Sequence, residues 1–130
     1  MKLFVDDIRN VPDDSWHLAR SSIAAICAIA RFHFDEISLD HDISHQVSIG
    51  NTPGRPFPCE ETFQSVAYFI GVKYEEAARS HPAQGMKIPK LYVHSSNPVG
   101  ATEIVDILKG YGLTATSTRG KAANRLELEV

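Results

Sequence analysis

The sequence predicts one α/β domain with a mainly parallel five-stranded sheet and helices on both faces. Three observations carry that expectation. Short runs of apolar and β-forming residues alternate with longer runs of helical periodicity, the pattern of a parallel sheet with crossover helices. A chain of 130 residues suits one domain rather than two. Polar clusters follow directly on the first, third and fourth apolar runs, and ligands of such sheets sit at the C-terminal ends of the strands.

Taken in order, Lys2–Val5 reads as a buried strand ending abruptly in Asp6-Asp7. Asn10–Ser15, with Pro12 and two aspartates, reads as a loop, and Trp16–Arg20 as a second short strand. Ser21-Ser22 offers an N-cap to an alanine- and isoleucine-rich helix over Ser22–Phe32, within which Cys27 is expected to be a buried small hydrophobe. Glu36–Asp40 gives the third strand, ending in Asp40-His41-Asp42. Ser44–Pro58, with two glycines and three prolines, is expected to be a long loop.

Glu60–Arg79 carries Phe63, Val66, Ala67, Ile70, Tyr74, Ala77 and Ala78 at helical spacing, with Gly71 as a point of breakage or bending. Phe63, Tyr68, Phe69 and Tyr74 are expected in the core. Lys90–His94 is the fourth strand, Thr102–Lys109 an amphipathic helix closed by Gly110 and Gly112, and Leu113–Ser117 the fifth strand. Leu126–Val130 alternates as a short extra strand at the C-terminus.

Bulk properties narrow the function. With a formal net charge of −3, no broad electrostatic attraction draws the chain onto nucleic acid, which leaves a local site for a nucleotide or an RNA end. No apolar run approaches the roughly 20 residues that cross a bilayer. Two cysteines, Cys27 and Cys59, without CxxC spacing or a leader segment, fit a reducing cytoplasm.

The chemistry sits in the three clusters. In Asp6-Asp7-Ile8-Arg9, adjacent carboxylates at a strand end suit a hard divalent cation, or a solvated loop in which Arg9 pairs an acid. In Asp40-His41-Asp42, the two-residue period of a strand predicts Asp40 and Asp42 on one side and His41 on the other. Asp40 then suits a metal ligand or a phosphoryl-accepting nucleophile. Alternatively, His41, His45 and Asp42 hold Zn²⁺ or Mn²⁺ on a helical turn. In His94-Ser95-Ser96-Asn97-Pro98-Val99-Gly100, His94 suits proton transfer, Ser95 and Asn97 suit phosphate oxygens, and Gly100 opens a helix whose N-terminus favours an anion. The competing reading is a turn whose polar residues merely cap that helix. His17, His33 and His81 lack acidic company and read as surface or satisfied core residues; Arg119 and Lys121 read as phosphate contacts or solvated loop charges.

An acidic pair after the first strand, an aspartate ending the third and a hydroxyl residue after the fourth resemble the receiver domains of response regulators. The matching positions are Asp6, Asp7, Asp40 and Ser95. The resemblance implies a flavodoxin-like three-layer fold, Mg²⁺ on the acidic residues and phosphate acceptance by Asp40. Three departures stand out: Ile8–Ser15 is too short for the receiver's first helix, the Lys-Pro after the fifth strand is absent, and His41 and His94 are additions.

With those departures the chain is similar to a narrower family, the cyclic-phosphate-processing receiver-like domains of bacteria and phages. Asp6-Asp7-Ile8-Arg9-Asn10-x-Pro12, Ser38-Leu39-Asp40-His41-Asp42-Ile43 and His94-Ser95-x-Asn97-Pro98-x-Gly100 carry that similarity. It implies hydrolysis of cyclic phosphates, such as 2′,3′-cyclic ends on damaged RNA or cyclic nucleotides. The expected ligands of Mg²⁺ or Mn²⁺ are Asp6, Asp7, Asp40 and Asp42. His41, His94 and Asp40 are the expected catalytic groups, and Arg9, Ser95, Asn97 and Gly100 the expected phosphate contacts. The expected partner is a small nucleotide or RNA end carrying phosphate, met in the cytoplasm (the host's, for a phage protein). The alternative is a non-catalytic receiver-like signalling or ligand-binding domain.

Overall fold

The computed structural model describes residues 1–43, 62–79 and 87–118. The elements run β1 (Lys2–Val5), β2 (Trp16–Ala19), α1 (Ser22–Arg31), β3 (Glu36–Leu39), α2 (Gln64–Arg79), β4 (Lys90–Val93), α3 (Pro98–Gly110) and β5 (Ala115–Ser117). The five strands form one parallel sheet in the order β2-β1-β3-β4-β5, the doubly wound receiver-like topology.

From β2 onward each crossover steps the same way across the sheet. Right-handed connection therefore puts α1, α2 and α3 on one face. Alternate strand residues supply that face: Leu3, Val5, Ile37, Leu39, Leu91 and Val93 join Ala25 and Ile29 of α1, Val66 and Ile70 of α2, and Ile104 and Leu108 of α3 in a single core. The opposite face presents Phe4, Ser38 and Tyr92, which lie side by side in register. Among the described residues no helix covers that second face. In place of a first helix, residues 6–15 run as turns between β1 and β2. Asp6 Oδ1 takes the N–H groups of Ile8 and Arg9, both at 2.9 Å, an Asx turn that competes with helix initiation.

Helix limits differ from expectation where capping decides them. Ser21 caps α1 by accepting from the Ala24 N–H at 3.1 Å. α3 begins at Pro98, four residues earlier than its apolar periodicity indicates, because Asn97 Oδ1 accepts from Val99 and Gly100 and Pro98 tolerates the first helical position. α2 passes through Gly71 unbroken; the glycine lets the Tyr111 ring lie where a Cβ would come within 2.2 Å of it. Cys27 is exposed rather than buried, since α1 turns Ala25 and Ile29 to the sheet and Ile23 and Cys27 away from it. Phe63 and Tyr74 are buried as expected, whereas Tyr68 is half exposed.

No helix of the described residues is long and apolar enough to cross a membrane. Cys59, Glu60, Glu61, His45, His81, Arg119, Lys121 and the expectations for Ser44–Pro58 and Leu126–Val130 lie outside the described residues.

Candidate active site

Strand register builds the site. Val5 stands opposite Leu39, and Leu39 opposite Val93. The ladder continues one step further: the Asp40 N–H donates to the Val5 carbonyl and the His94 N–H to the Leu39 carbonyl, both at 2.9 Å. Asp6, Asp40 and His94 are thus the next residues on three neighbouring strands. The two-residue period turns them to the face of Phe4, Ser38 and Tyr92, away from the helices. Their ligand atoms all lie within 4.8 Å of one another, and among the described residues they are the one group of three such side chains that can hold a metal ion.

His94 is 1% exposed and held on three sides. Its ring stacks on Phe4 with centroids 4.2 Å apart and planes 7° from parallel. Nδ1 lies 2.7 Å from Ser38 Oγ, and Nε2 lies 3.0 Å from Asp6 Oδ2. Burial pushes the Asp6 carboxyl upward, but the His94 hydrogen bond and the Arg9 and Ile8 N–H groups outweigh it, leaving Asp6 below the ordinary carboxylate range. Asp40 goes the other way: burial, then the negative charge of Asp6, raise its pKa against the opposing pull of His94, the His41 N–H and Arg9. Two carboxylates this close, one of them resisting ionisation, form a site where a cation would relieve repulsion.

His41 turns to the other face. Its ring packs over Gly100 of α3, where a Cβ would lie 2.3 Å from Nδ1, so only glycine leaves room for it. Nδ1 is 2.7 Å from Asp42 Oδ1. Nε2 is 3.1 Å from the Gln64 amide nitrogen and 3.4 Å from Glu103 Oε2. Gln64 in turn donates to Glu103. Asp42 therefore lies with His41 rather than beside Asp40. β3 itself ends at Leu39; its alternation carries through Asp40 and His41 and lapses at Asp42, which forms an isolated antiparallel bridge with Thr62.

The remaining expected residues are engaged as follows. Arg9 donates from its guanidinium to the His94 carbonyl at 3.1 Å, close enough for its charge to lower Asp40. Ser95 is fully buried and its hydroxyl accepts the Asn97 N–H at 3.0 Å. Asn97, besides capping α3, donates its amide to Asp42 at 3.4 Å. Gly100 gives its N–H to that cap. Asp7, half-buried beside Asp6, stands outside the Asp6–Asp40–His94 group.

Four residues with defined places went unassigned in the sequence: Ser38 and Phe4 behind His94, and Gln64 and Glu103 around His41. Phe4 and Ser38 had a signal, since they share strand parity with Asp6 and Asp40. Gln64 and Glu103 come from two helices whose approach the sequence does not reveal. Arg20 was also unassigned; it braces the first loop by donating to the carbonyl of Arg9 at 2.8 Å.

Compared with known families, residues 1–110 match the cyclic-phosphate processing receiver domain. No curated protein and no solved structure matches the chain. A match over 110 of 130 residues, joined to the parallel β2-β1-β3-β4-β5 sheet and the acidic and histidine row at its C-terminal edge, places the chain in the cyclic-phosphate processing receiver family.

Proposed function

We propose that this domain is a phosphodiesterase that opens cyclic phosphates, on 2′,3′-cyclic RNA ends or cyclic nucleotides, with the help of a divalent cation. The observation that carries the reading is the single cross-strand row of Asp6, Asp40 and His94. Two carboxylates and one imidazole form a mixed donor set that suits Mn²⁺, and Mg²⁺ through its oxygens. Bound there, the cation would offset negative charge on the phosphate oxygens as it builds.

The chain's own groups supply the rest. Ring opening adds water to phosphorus, breaks one P–O ester bond and returns a proton to the leaving ribose oxygen. His41 is the residue we assign to proton transfer, because Asp42 fixes its Nδ1 while Nε2 meets the polar side chains of Gln64 and Glu103. His94, which shares the three-residue group with Asp6 and Asp40, is assigned to holding the centre. Arg9 extends positive charge to the same edge and suits a phosphate oxygen. Asp42 serves the His41 side, orienting that ring through Nδ1.

The test is turnover of 2′,3′-cyclic AMP and of a cyclic-phosphate-ended RNA with Mn²⁺, with Mg²⁺ and with EDTA. Cation-dependent ring opening that Asp40→Asn abolishes, and that His41→Ala slows by roughly 10²–10⁴-fold, is expected. Full activity in EDTA, or in both variants, contradicts the assignment. A trapped aspartyl-phosphate on Asp40 would instead mark that residue as the nucleophile.

A second reading, a non-catalytic ligand-binding or signalling receiver domain, is favoured by the burial of both histidines with all four of their ring nitrogens engaged by side chains. Tight binding of a cyclic nucleotide without turnover would support it.

A further inference from the structure

Ser38 lies in β3, one row before Asp40 and on the same face, 1% exposed. Its hydroxyl, His94 and Asp6 form a line, Oγ to Nδ1 at 2.7 Å and Nε2 to Oδ2 at 3.0 Å. The order of groups resembles a nucleophilic triad, yet the hydroxyl is buried in the sheet face behind the ring. Among the described residues its partner is the imidazole.

Two contacts fix that imidazole. The Phe4 stack sets the plane of the ring, and the Ser38 hydrogen bond sets its rotation within that plane. Together they aim Nε2 at the Asp6–Asp40 pair. A hydroxyl is one of the few neutral groups that can donate or accept at one position. In the tautomer that carries its proton on Nε2, His94 donates to Asp6 and Ser38 donates into Nδ1. For Nε2 to bind a cation, the proton must sit on Nδ1, and Ser38 must accept it. Rotation of the hydroxyl hydrogen about the Cβ–Oγ bond serves both tautomers.

We propose that Ser38 is a positioning residue that makes His94 a nitrogen ligand of the divalent cation at the Asp6–Asp40 edge. The inference rests on the metal-assisted reading above and adds to it the group that orients the ligand. Such partners behind a ligating histidine fix its tautomer and ring orientation, and their loss typically costs roughly 10–100-fold in metal affinity.

The experiment is Mn²⁺ binding to the full chain, by calorimetry and by pulsed electron paramagnetic resonance for a directly bound nitrogen. Wild type should bind with a nitrogen coupling that His94→Gln removes. Ser38→Ala should lower affinity roughly 10–100-fold and weaken that coupling while thermal melting stays cooperative. Ser38→Thr, which keeps the hydroxyl, should bind close to wild type. Nitrogen-coupled binding that is indifferent to Ser38→Ala overturns the proposal alone. No binding of Mn²⁺ by wild type overturns it together with the metal-assisted reading.

Discussion

Asp40 occupies the centre of the acidic row, between Asp6 and His94, and its burial works against its charge. Its carboxyl is held above its ordinary value of 3.8, first by burial and then by the Asp6 charge. A carboxyl with a raised folded-state pKa costs nothing below the unfolded value. The cost begins as pH rises past the unfolded value, grows until pH has passed the folded value, and is constant above it. Asp40→Asn should therefore raise the melting temperature of the cation-free protein at pH 7, on the order of 4 °C for each kcal/mol of repulsion removed. The advantage should shrink as pH falls toward 4. Melting curves in EDTA across that range check the sign, and an Asp40→Asn protein less stable than wild type at pH 7 would contradict it. Asp6 carries the opposite sign, because the His94 hydrogen bond and two backbone N–H groups stabilise its charge. Both aspartates were legible in the sequence as strand-end acids. Their opposed behaviour was not, since it depends on which of the two meets the histidine.

Among the elements, α3 does most to shape the His41 side of the sheet. Asn97 stops the preceding turn, caps the helix and touches Asp42, while Gly100 admits the His41 ring. Gly100→Ala places a methyl group on that ring and should cost about 1–3 kcal/mol, the usual range for overpacking. The same change in a His41→Ala background should cost much less, because the clash has been removed. A double-mutant cycle of melting temperatures measures this, and strict additivity of the two changes would argue against the contact. The strand runs, the helical periodicities and the Ser21 cap could be read directly from the sequence. The start of α3 could not, because Asn97-Pro98 looks like a plain turn until the side chain is seen to cap. Cys27 was misplaced for a related reason: α1 is apolar all round, so its sequence does not say which side meets the sheet.

For the whole molecule, the sheet order leaves β2 and β5 at the edges and β1, β3 and β4 inside. The interior strands supply all three members of the acidic and histidine row. Native-state hydrogen exchange should be slowest at Leu3–Val5 and Ile37–Leu39, which pair on both sides, and faster in β2 and β5. Equal protection across all five strands would contradict this ranking. The alternation of strands and helices announced the parallel sheet, and with it the gathering of the three polar clusters. The shortness of Ile8–Ser15 likewise announced that no helix joins β1 to β2, and the described helices, which all follow β2, share one face.

The parity of β3 has a consequence for how such a protein can change. Asp40 and His41 are neighbours in the chain but belong to opposite sides of the sheet, separated by one backbone thickness. Inserting or deleting a single residue between Ile37 and Asp40 would exchange their sides, sending the carboxylate among the helices and the imidazole toward Asp6. Strand length here can drift only in steps of two. A library of one- and two-residue insertions in β3 would therefore divide by parity, with the even members alone retaining both halves of the site.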